Sequence, residues 1–557
     1  MDGTLIELHG GRLYDPTHGI NGEVRTLYLS ADGIVPPPPD AGAIAQSYDV
    51  SGCVLMAGGI DIHTHIGGGK VNLARMLLPE DHDRHPVARG VHPRMGSGHA
   101  APSTLTVGYR YAEMGYTACF EPAMLLANAR QAHLELGDTP IVDKGAYVLL
   151  GNDDLFLRLL AAKQDPAVIG DYLAWTLDAA QAMAIKVVNP GGINAFKFNQ
   201  RKLDIDEENT AYGLTPRQIL LALAQGIHTL GLPHPLHIHG SNLGVPGNVE
   251  TTLATIAALE GLPAHITHIQ FHAYGNEGDR KFSSGAARLA EAINRQPNIS
   301  MDVGQVMFGQ TVTESGDSMR QYAGSAYASP KKTVLMDIEC DAGCGIVPFR
   351  YRDQSFVNAL QWAIGLELFL LAEDPWRVFL TTDHPNGAPF TSYPHLIRLL
   401  MDRSFRNEKL ASINPAAAAA SILGTLTREY TLYDIAILTR AAPAKSLGLS
   451  SLGHLGVGAR GDVVVYTDQP NREAMFQRPR YVFKAGELIV RDGRVIGTPT
   501  GATHVVKPDY ERSIERTVND YFARFMTVRP QNLRVSAAEI EGEGRGRLVV
   551  YSPRRSA

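Results

Sequence analysis

Two histidines two residues apart, His63 and His65, are the first residues in the chain whose types and spacing could do chemistry. They follow the apolar run Val54-Leu55-Met56 and precede glycines, a pattern typical of the end of a β-strand. Side chains at positions i and i+2 of a strand point to the same side, so both imidazoles can reach one metal ion. Because a His-x-His pair is common by chance, the prediction of a metal site depends on further ligand-type residues at later strand ends.

Three later apolar runs also end in such residues, namely His239, His268 and Asp383. Zinc accepts nitrogen and oxygen ligands, so these side chains and the first pair predict a dinuclear hydrolase with cations about 3.5–4 Å apart. Two alternatives remain open at this point. His237 and His265 could be the inward-facing histidines instead, and Asp383 could simply cap the next turn.

A dinuclear site also needs an anionic bridge, and a lysine that has reacted with carbon dioxide can provide one. Burial and nearby cations lower the pKa of a lysine and favour the neutral amine that this reaction requires. Lys186 and Lys197 both lie near the end of the fourth apolar run, and physical argument alone does not separate them. Cys340 and Cys344 could form half of another metal site, but no second pair accompanies them, and we interpret them as structural.

The composition narrows the class of protein. A formal charge of −6 without a basic stripe argues against nucleic acid as a general partner, and 4 cysteines are too few for a disulfide scaffold. The N-terminus has no basic segment followed by an apolar one, and the most apolar stretch, 356–372, is shorter than the roughly 20 residues that cross a bilayer. We therefore expect a cytoplasmic protein.

The order of apolar runs predicts an α/β fold. From His63 onward, strand-like runs alternate with segments of helical periodicity, which is typical of parallel βα units. Such runs end near His65, Glu121, Gly151, Asn189, His239, His268, Gly304 and Asp383. Eight units predict a (β/α)8 barrel of the TIM type, whose active site lies at the C-terminal ends of the strands.

The segments outside the predicted barrel do not show this alternation of strands and helices. Short strands are predicted before residue 55 and again at 432–438, 461–466, 480–483 and 487–493. Strands on either side of a barrel pair most economically with each other, so residues 1–55 and 430–505 are predicted to form one small β-sandwich domain. The barrel then spans 56–429, and 506–557 form a C-terminal extension.

Several motifs carry a resemblance to known families. His63-Thr64-His65 with Thr382-Asp383-His384-Pro385 resembles the amidohydrolase superfamily, close to its dihydropyrimidinase and dihydroorotase branch. A narrower resemblance, to the A-type subunits of formylmethanofuran dehydrogenases and of bacterial formyltransferase/hydrolase complexes, rests on six further motifs: Gly69-Lys70-Val71-Asn72, Gly108-Tyr109-Arg110-Tyr111-Ala112, Ile185-Lys186-Val187-Val188-Asn189-Pro190, Asn242-Leu243-Gly244-Val245-Pro246-Gly247-Asn248, Thr267-His268-Ile269-Gln270-Phe271-His272 and Trp362-Ala363-Ile364-Gly365-Leu366-Glu367. The match runs from about residue 50 to 405. Gly240-Ser241-Asn242 and His384 depart from the archaeal pattern, which affects substrate detail but not the metal set.

The resemblance implies two zinc ions bridged by a carbamylated lysine in the Lys-hydrophobic-hydrophobic-Asn-Pro motif, and so selects Lys186 over Lys197. It implies His63, His65, His239, His268 and Asp383 as the other ligands, with Asp383 also acting as the catalytic acid and base. Asn242, Lys70 and Tyr109 become candidates for binding the substrate.

The implied reaction is hydrolysis of an N-formyl group on a methanofuran- or methylofuran-type amine to formate and free amine. The implied setting is a formyltransferase/hydrolase complex with subunits of the B, C and D types, in tetrahydromethanopterin-linked formaldehyde oxidation. Three alternatives stay open: the reverse condensation in a formylmethanofuran dehydrogenase, a stand-alone cyclic amidohydrolase of the dihydropyrimidinase kind, and a metal-free scaffold. The abundance of Ala and Arg favours the bacterial setting.

Overall fold

The computed structural model describes residues 5–84, 98–197, 200, 203–314, 346–542 and 544–555. Eight parallel strands form the centre of the molecule and are numbered here β1 to β8. Their bounds are β1 Gly59–Asp61, β2 Tyr116–Met124, β3 Asp143–Leu149, β4 Ala184–Val188, β5 Leu236–His239, β6 Ala264–Ile266, β7 Ile299–Asp302 and β8 Val378–Phe379.

These strands close into a barrel. Each strand pairs in parallel with the next one in the chain, from β1 to β8. The circle closes just past the strand ends, where Thr64 forms a parallel bridge with His384 and the backbone N–H of His65 donates to the His384 carbonyl at 2.8 Å. The predicted (β/α)8 barrel is confirmed.

Helices connect and surround the strands. In the barrel region their bounds are Gly69–Met76, Pro79–Arg84, Thr104–Glu113, Ala129–Gly137, Asp154–Ala161, Pro166–Ala180, Gly192–Lys197, Pro216–Thr229, Val249–Ala258, Ala286–Asn294, Phe356–Leu371, Tyr393–Met401, Arg403–Ser412 and Pro415–Ala419. The helix Phe356–Leu371 is almost entirely buried, because it packs between the barrel and the neighbouring helices. Among the described residues, no helix combines the length and apolar character needed to span a membrane.

A nine-stranded sheet joins the two ends of the chain. Its strands are Leu5–Asp15, Ile20–Ser30, Gly33–Val35, Ile44–Asp49, Cys53–Ala57, Val463–Thr467, Tyr481–Lys484, Glu487–Arg491 and Arg494–Val495. The N-terminal and C-terminal parts meet where Cys53–Ala57 pairs antiparallel with Val463–Thr467. Residues from both parts, including Leu8, Leu55 and Val465, share a core separate from that of the barrel. The predicted small β domain is thus confirmed in its construction from both termini.

The predicted strand at 432–438 is wrong, because this segment is helical. A helix covers Leu432–Ala436 and continues through a π-helical turn, Ile437–Ala441, into Ala442–Leu447. Thr431 and Asp434 form a capping box that starts the helix, and Leu432, Ile435 and Ala436 are buried at helical spacing. The capping signal and the i, i+3, i+4 pattern outweigh the strand propensity of the isoleucines.

The C-terminal extension is partly built into the barrel sheet. Strands Thr503–Val506 and Leu548–Tyr551 pair in parallel, and Thr503 pairs with Lys144 on β3. Between them lie the helices Ile514–Phe525, Pro530–Leu533 and Ala537–Glu541. The strand Thr503–Val506, at the end of the range predicted for the β domain, therefore joins the barrel sheet, and the extension adds the strand Leu548–Tyr551 beside it. The domain boundaries drawn from the sequence stay a prediction.

Candidate functional site

The His-x-His pair meets the aspartate of the last strand at the barrel rim. His63 and His65 follow β1, and Asp383 lies four residues beyond β8 with a positive φ of 49°. The Nε2 atoms of His63 and His65 lie 2.9 Å and 3.3 Å from Oδ1 of Asp383. All three side chains are buried, so the fold brings three ligand-type groups together around one point.

Hydrogen bonds on the far side of each ring fix the orientation of both histidines. Nδ1 of His65 lies 3.2 Å from Oε1 of Glu121, and that carboxylate also accepts from the backbone N–H groups of Ile66 and Gly67. Nδ1 of His63 lies 2.5 Å from the Thr267 hydroxyl. These contacts leave Nε2 of each ring directed at Asp383, as expected for metal-binding histidines whose other nitrogen is held by the protein.

A second histidine group lies beside the first. His239 ends β5, and His268 follows β6 with a left-handed φ of 36°. Their ring centroids are 4.6 Å apart, and the ring of His268 lies 5.3 Å from that of His63. Gly304, just after β7, allows this approach, since a Cβ there would lie 2.4 Å from Cβ of His268.

The alternative histidines lie one layer deeper in the barrel. His237 is on the same strand as His239 and hydrogen-bonds to Nδ1 of His63 at 2.8 Å. Nε2 of His265 lies 2.9 Å from Oδ2 of Asp302 and donates to it, and that carboxylate oxygen also accepts from Thr267 at 2.6 Å. His237 and His265 therefore face the barrel interior as well, and they support the ligands from below.

Lys186 is buried on β4 at the same level of the barrel as His237, with which it is in register. Burial first, and then the nearby Lys186 charge, lower the pKa of His63 well below its ordinary value, and the same charge contributes at His268. The amine of Lys186 thus lies close to both histidine groups. Lys197 ends the helix Gly192–Lys197, and its side chain lies outside the described residues.

The buried environment keeps these imidazoles in the state that binds metal. Burial lowers the pKa of His268 well below its ordinary value and that of His272 to about 3, so both rings are neutral. Beneath the pair, Asp61 accepts from Tyr111 at 2.6 Å and from the backbone N–H of His63 at 3.1 Å. Burial raises the pKa of Asp61 to about 7.

The model of the amidohydrolase family matches residues 46–496. The chain belongs to the amidohydrolase family. It is 43% identical over 522 residues to the A-type subunit of the formyltransferase/hydrolase complex Fhc of Methylorubrum extorquens, covering 93% of this chain and 94% of that protein. It is 40% identical over 553 residues to Protein FwdA of Methanocaldococcus jannaschii, covering 95% and 96%.

A solved structure agrees along nearly the whole chain. A chain of the X-ray crystal structure of the formyltransferase/hydrolase complex (FhcABCD) from Methylorubrum extorquens, in complex with methylofuran, matches this amidohydrolase with a TM-score of 0.92. The identity is 41%, and the match covers 99% of this chain and 100% of that one. The narrower resemblance predicted from the sequence motifs is confirmed.

The donor set of this amidohydrolase fits a pair of metal ions. Within the part of the chain that the structure describes, both ring nitrogens of His268 are buried without a hydrogen-bond partner, as are both of His272. Buried polar groups are normally paired, and imidazole nitrogens beside a carboxylate are groups that a metal ion satisfies. The assignment of His63, His65, Lys186, His239, His268 and Asp383 as ligands stays a prediction that this geometry supports.

The three predicted substrate-binding residues have different positions. The Asn242 amide donates to Thr251 at 3.0 Å, which directs it into its own loop. Tyr109 lies on the helix Thr104–Glu113 and packs against the core. Lys70 lies in the helix Gly69–Met76, but its side chain is outside the described residues, as are Cys340 and Cys344 altogether. Substrate binding by these residues stays a prediction.

Sequence reasoning missed four residues of the site: Glu121, Thr267, His272 and Asp302. In the sequence Glu121 marks only a strand end, and nothing local distinguishes a carboxylate that supports a histidine from any other buried acid. His272 carries a usable signal, since His268 and His272 are four residues apart in a segment already singled out. Two histidines at that spacing can face the same way on a helical turn.

Proposed function

We propose that this amidohydrolase removes an N-formyl group from a methanofuran- or methylofuran-type amine and releases formate. The observation that carries the proposal is a buried set of histidine, lysine and aspartate side chains at the barrel rim of a chain that matches the A-type Fhc subunit along almost its full length. The related crystal structure contains methylofuran, which supplies the substrate class.

His63, His65 and Asp383 would hold one zinc ion, and His239 and His268 the other, with carbamylated Lys186 between them. When bound, such a pair polarises the formyl carbonyl and makes water a stronger nucleophile at neutral pH. Glu121 and Thr267 keep the two histidines of the first set in the tautomer whose Nε2 is available.

Asp383 moves the proton. Its carboxylate lies between the two histidines of the first set and is fully buried, so it can take a proton from the attacking water without competition from solvent. Water adds to the formyl carbon, the C–N bond breaks, and the same proton goes to the nitrogen, because an amide anion is a very poor leaving group. This gives formic acid and the neutral amine, and the proton that formic acid then loses is balanced by protonation of the amine at neutral pH.

The chain would act inside an assembly. Its relative belongs to the FhcABCD complex, and we propose that this chain associates with subunits of the B, C and D types in the same way. The similarity to FwdA supports a second candidate, in which the same site condenses formate with the amine. The direction of the reaction separates the two, and it depends on the subunits that accompany the chain.

The test uses the complex purified with its own partner subunits and an N-formyl furfurylamine carrier. We expect formate release by the wild-type protein and no turnover of hydantoin or dihydropyrimidine. Turnover of a cyclic amide without release of formate would replace this proposal by the stand-alone cyclic amidohydrolase. Copurifying molybdenum or tungsten with formate-dependent formylation of the amine would favour the FwdA-like direction.

Two variants test the roles of the site residues. Asp383→Asn keeps an oxygen ligand but no base, so we expect both metals retained and activity lower by about 10²–10⁴-fold. Lys186→Ala removes the bridge, and we expect fewer than two metals per chain by elemental analysis. Asp402→Asn is the matched control, because Asp402 caps the helix Arg403–Ser412 away from the site and Asn is an equally good cap. Full activity of Asp383→Asn would refute the proton-transfer role.

A further inference from the structure

His272 is a histidine of the rim to which the proposed function assigns no role. It is the last residue of the short turn Ile269–His272 and is 1% exposed. Its ring centroid lies 5.5 Å from that of His239 and 5.4 Å from that of His268, to which it is nearly parallel. It therefore borders the same space as the two predicted ligands of the second metal.

The hydrogen-bonding state of His272 points to a ligand. Within the described ranges, neither of its ring nitrogens has a partner, although both are fully enclosed. A buried polar group without a partner costs on the order of 1–3 kcal/mol, and a metal ion bound at one of these nitrogens would remove that cost for it. His268, which caps the N-terminus of that turn, is in the same condition.

Another cluster of ligand-type residues, deeper in the barrel, provides an internal comparison. One donor atom from each of His63, His237 and Asp302 also fall close enough together to suggest a metal site. There, however, the donors are already bonded to the protein, since His63 bonds His237 at 2.8 Å and Asp302 accepts from Thr267 at 2.6 Å. That group is a hydrogen-bonded support, whereas the ring nitrogens of His268 and His272 have no hydrogen-bond partner among the described residues.

The distances allow one cation to be shared. One ring nitrogen from each of His239, His268 and His272 lie within 4.8 Å of one another. Two donors on a tetrahedral zinc are about 3.4 Å apart, given metal–nitrogen bonds of about 2.0–2.1 Å. Rotation about the side-chain torsions would bring the three nitrogens from this spacing to that around a bound ion.

We infer that His272 is the third imidazole ligand of the metal held by His239 and His268. This rests on the proposed function, which supplies the metal pair. Beside the shared carbamate, the second ion would then have only neutral nitrogen ligands, whereas the first would have the Asp383 carboxylate, so the second ion would keep more net positive charge.

The experiment measures metal binding rather than activity. The intact complex is stripped with a chelator and titrated with Zn²⁺ against a competing indicator, for the wild-type protein and for His272→Gln. Gln is close to His in volume but is a poor zinc ligand. We expect two equivalents for the wild type, and a loss of affinity for one equivalent of at least about 100-fold in the variant, a larger effect than removal of a supporting residue produces.

The control is His133→Gln. His133 is another buried histidine, bonded to the carbonyl of Ala180 away from the rim, and the variant should bind two equivalents as the wild type does. Wild-type affinity for both equivalents in His272→Gln would overturn the inference and leave the proposed function standing. Absence of a metal pair in the wild-type protein would overturn both.

A measurement on the wild-type protein covers the case in which His272→Gln does not fold. A crystal structure of the zinc-loaded complex should place one nitrogen of His272 at about 2.0–2.1 Å from the metal. A separation longer than about 3 Å from both ions would refute the inference without any variant.

Discussion

Glu121 offers a sharp test of how the first two ligands are held. Its carboxylate accepts from Nδ1 of His65 at 3.2 Å and from the backbone N–H groups of Ile66 at 2.7 Å, Gly67 at 3.0 Å and Ala123 at 3.0 Å. Replacing Glu121 by Gln keeps the shape of the side chain but makes one of its two ends a donor. Whichever way the amide is turned, its NH₂ group faces N–H donors of the protein. They are those of His65 and Ala123 in one orientation, and those of Ile66 and Gly67 in the other.

The magnitude follows from this conflict. With its oxygen toward Ile66 and Gly67, the amide points its NH₂ at His65, which can avoid the clash only by moving its own proton to Nε2. That tautomer has no lone pair for a metal at Nε2. Loss of such a support lowers metal affinity by about 10–100-fold, or about 1.4–2.7 kcal/mol at room temperature.

The assay is competitive zinc titration of the stripped complex, with thermal unfolding of the metal-free form measured in parallel. Glu135→Gln is the matched control, since Glu135 accepts from the backbone N–H of Gly68 in the same loop without contacting a histidine. We expect metal affinity to fall in Glu121→Gln and to stay unchanged in Glu135→Gln. Equal affinity in both variants would refute the idea that Glu121 sets the tautomer of His65.

Two further predictions concern stability. Burial alone would raise the pKa of Asp143, but Lys484 at 3.1 Å and the other charged partners of this carboxylate lower that pKa below its ordinary value. Ionised Asp143 therefore stabilises the fold above about pH 4, and this contribution decreases as the pH falls further. Asp143→Asn should therefore lower the free energy of unfolding by about 3 kcal/mol at pH 7. In acid denaturation, the difference in free energy between the variant and the wild type should shrink below about pH 4. A difference that does not change with pH would contradict this prediction. Gly304→Ala should both destabilise the protein and abolish binding of the second metal, because φ is +65° and the new Cβ meets His268 at 2.4 Å. Gly261→Ala is the control, because Gly261 has a φ of +87° and open space around it. This variant should lose about 1–2 kcal/mol of stability from backbone strain and keep its full metal content. Equal losses of stability and of metal in the two variants would argue against the contact with His268.

The sequence was most informative where the signals are local. The alternation of apolar runs and helical segments predicted seven of the eight barrel strands from their own residues, because each is specified by a few consecutive residues. For the first strand the run Val54-Leu55-Met56 was the wrong one, since it lies in the nine-stranded sheet and the barrel strand is Gly59–Asp61. The same local patterns predicted that His63, His65, His239 and Asp383 lie at strand ends on one rim of the barrel. It failed at 432–438, where a capping box turned an apolar run into a helix.

By itself, then, the sequence determined the barrel, the two-ended β domain, the family and the set of candidate ligands. Only the tertiary structure decided which histidines lie at the rim and which lie deeper in the barrel. It places His237 beneath His63, in hydrogen-bond contact, and His272 beside His239 at the rim. The physical reason is that these relations depend on barrel closure, which brings residues from distant strands within a few ångströms. No local periodicity encodes which ring nitrogens such an approach leaves without a partner.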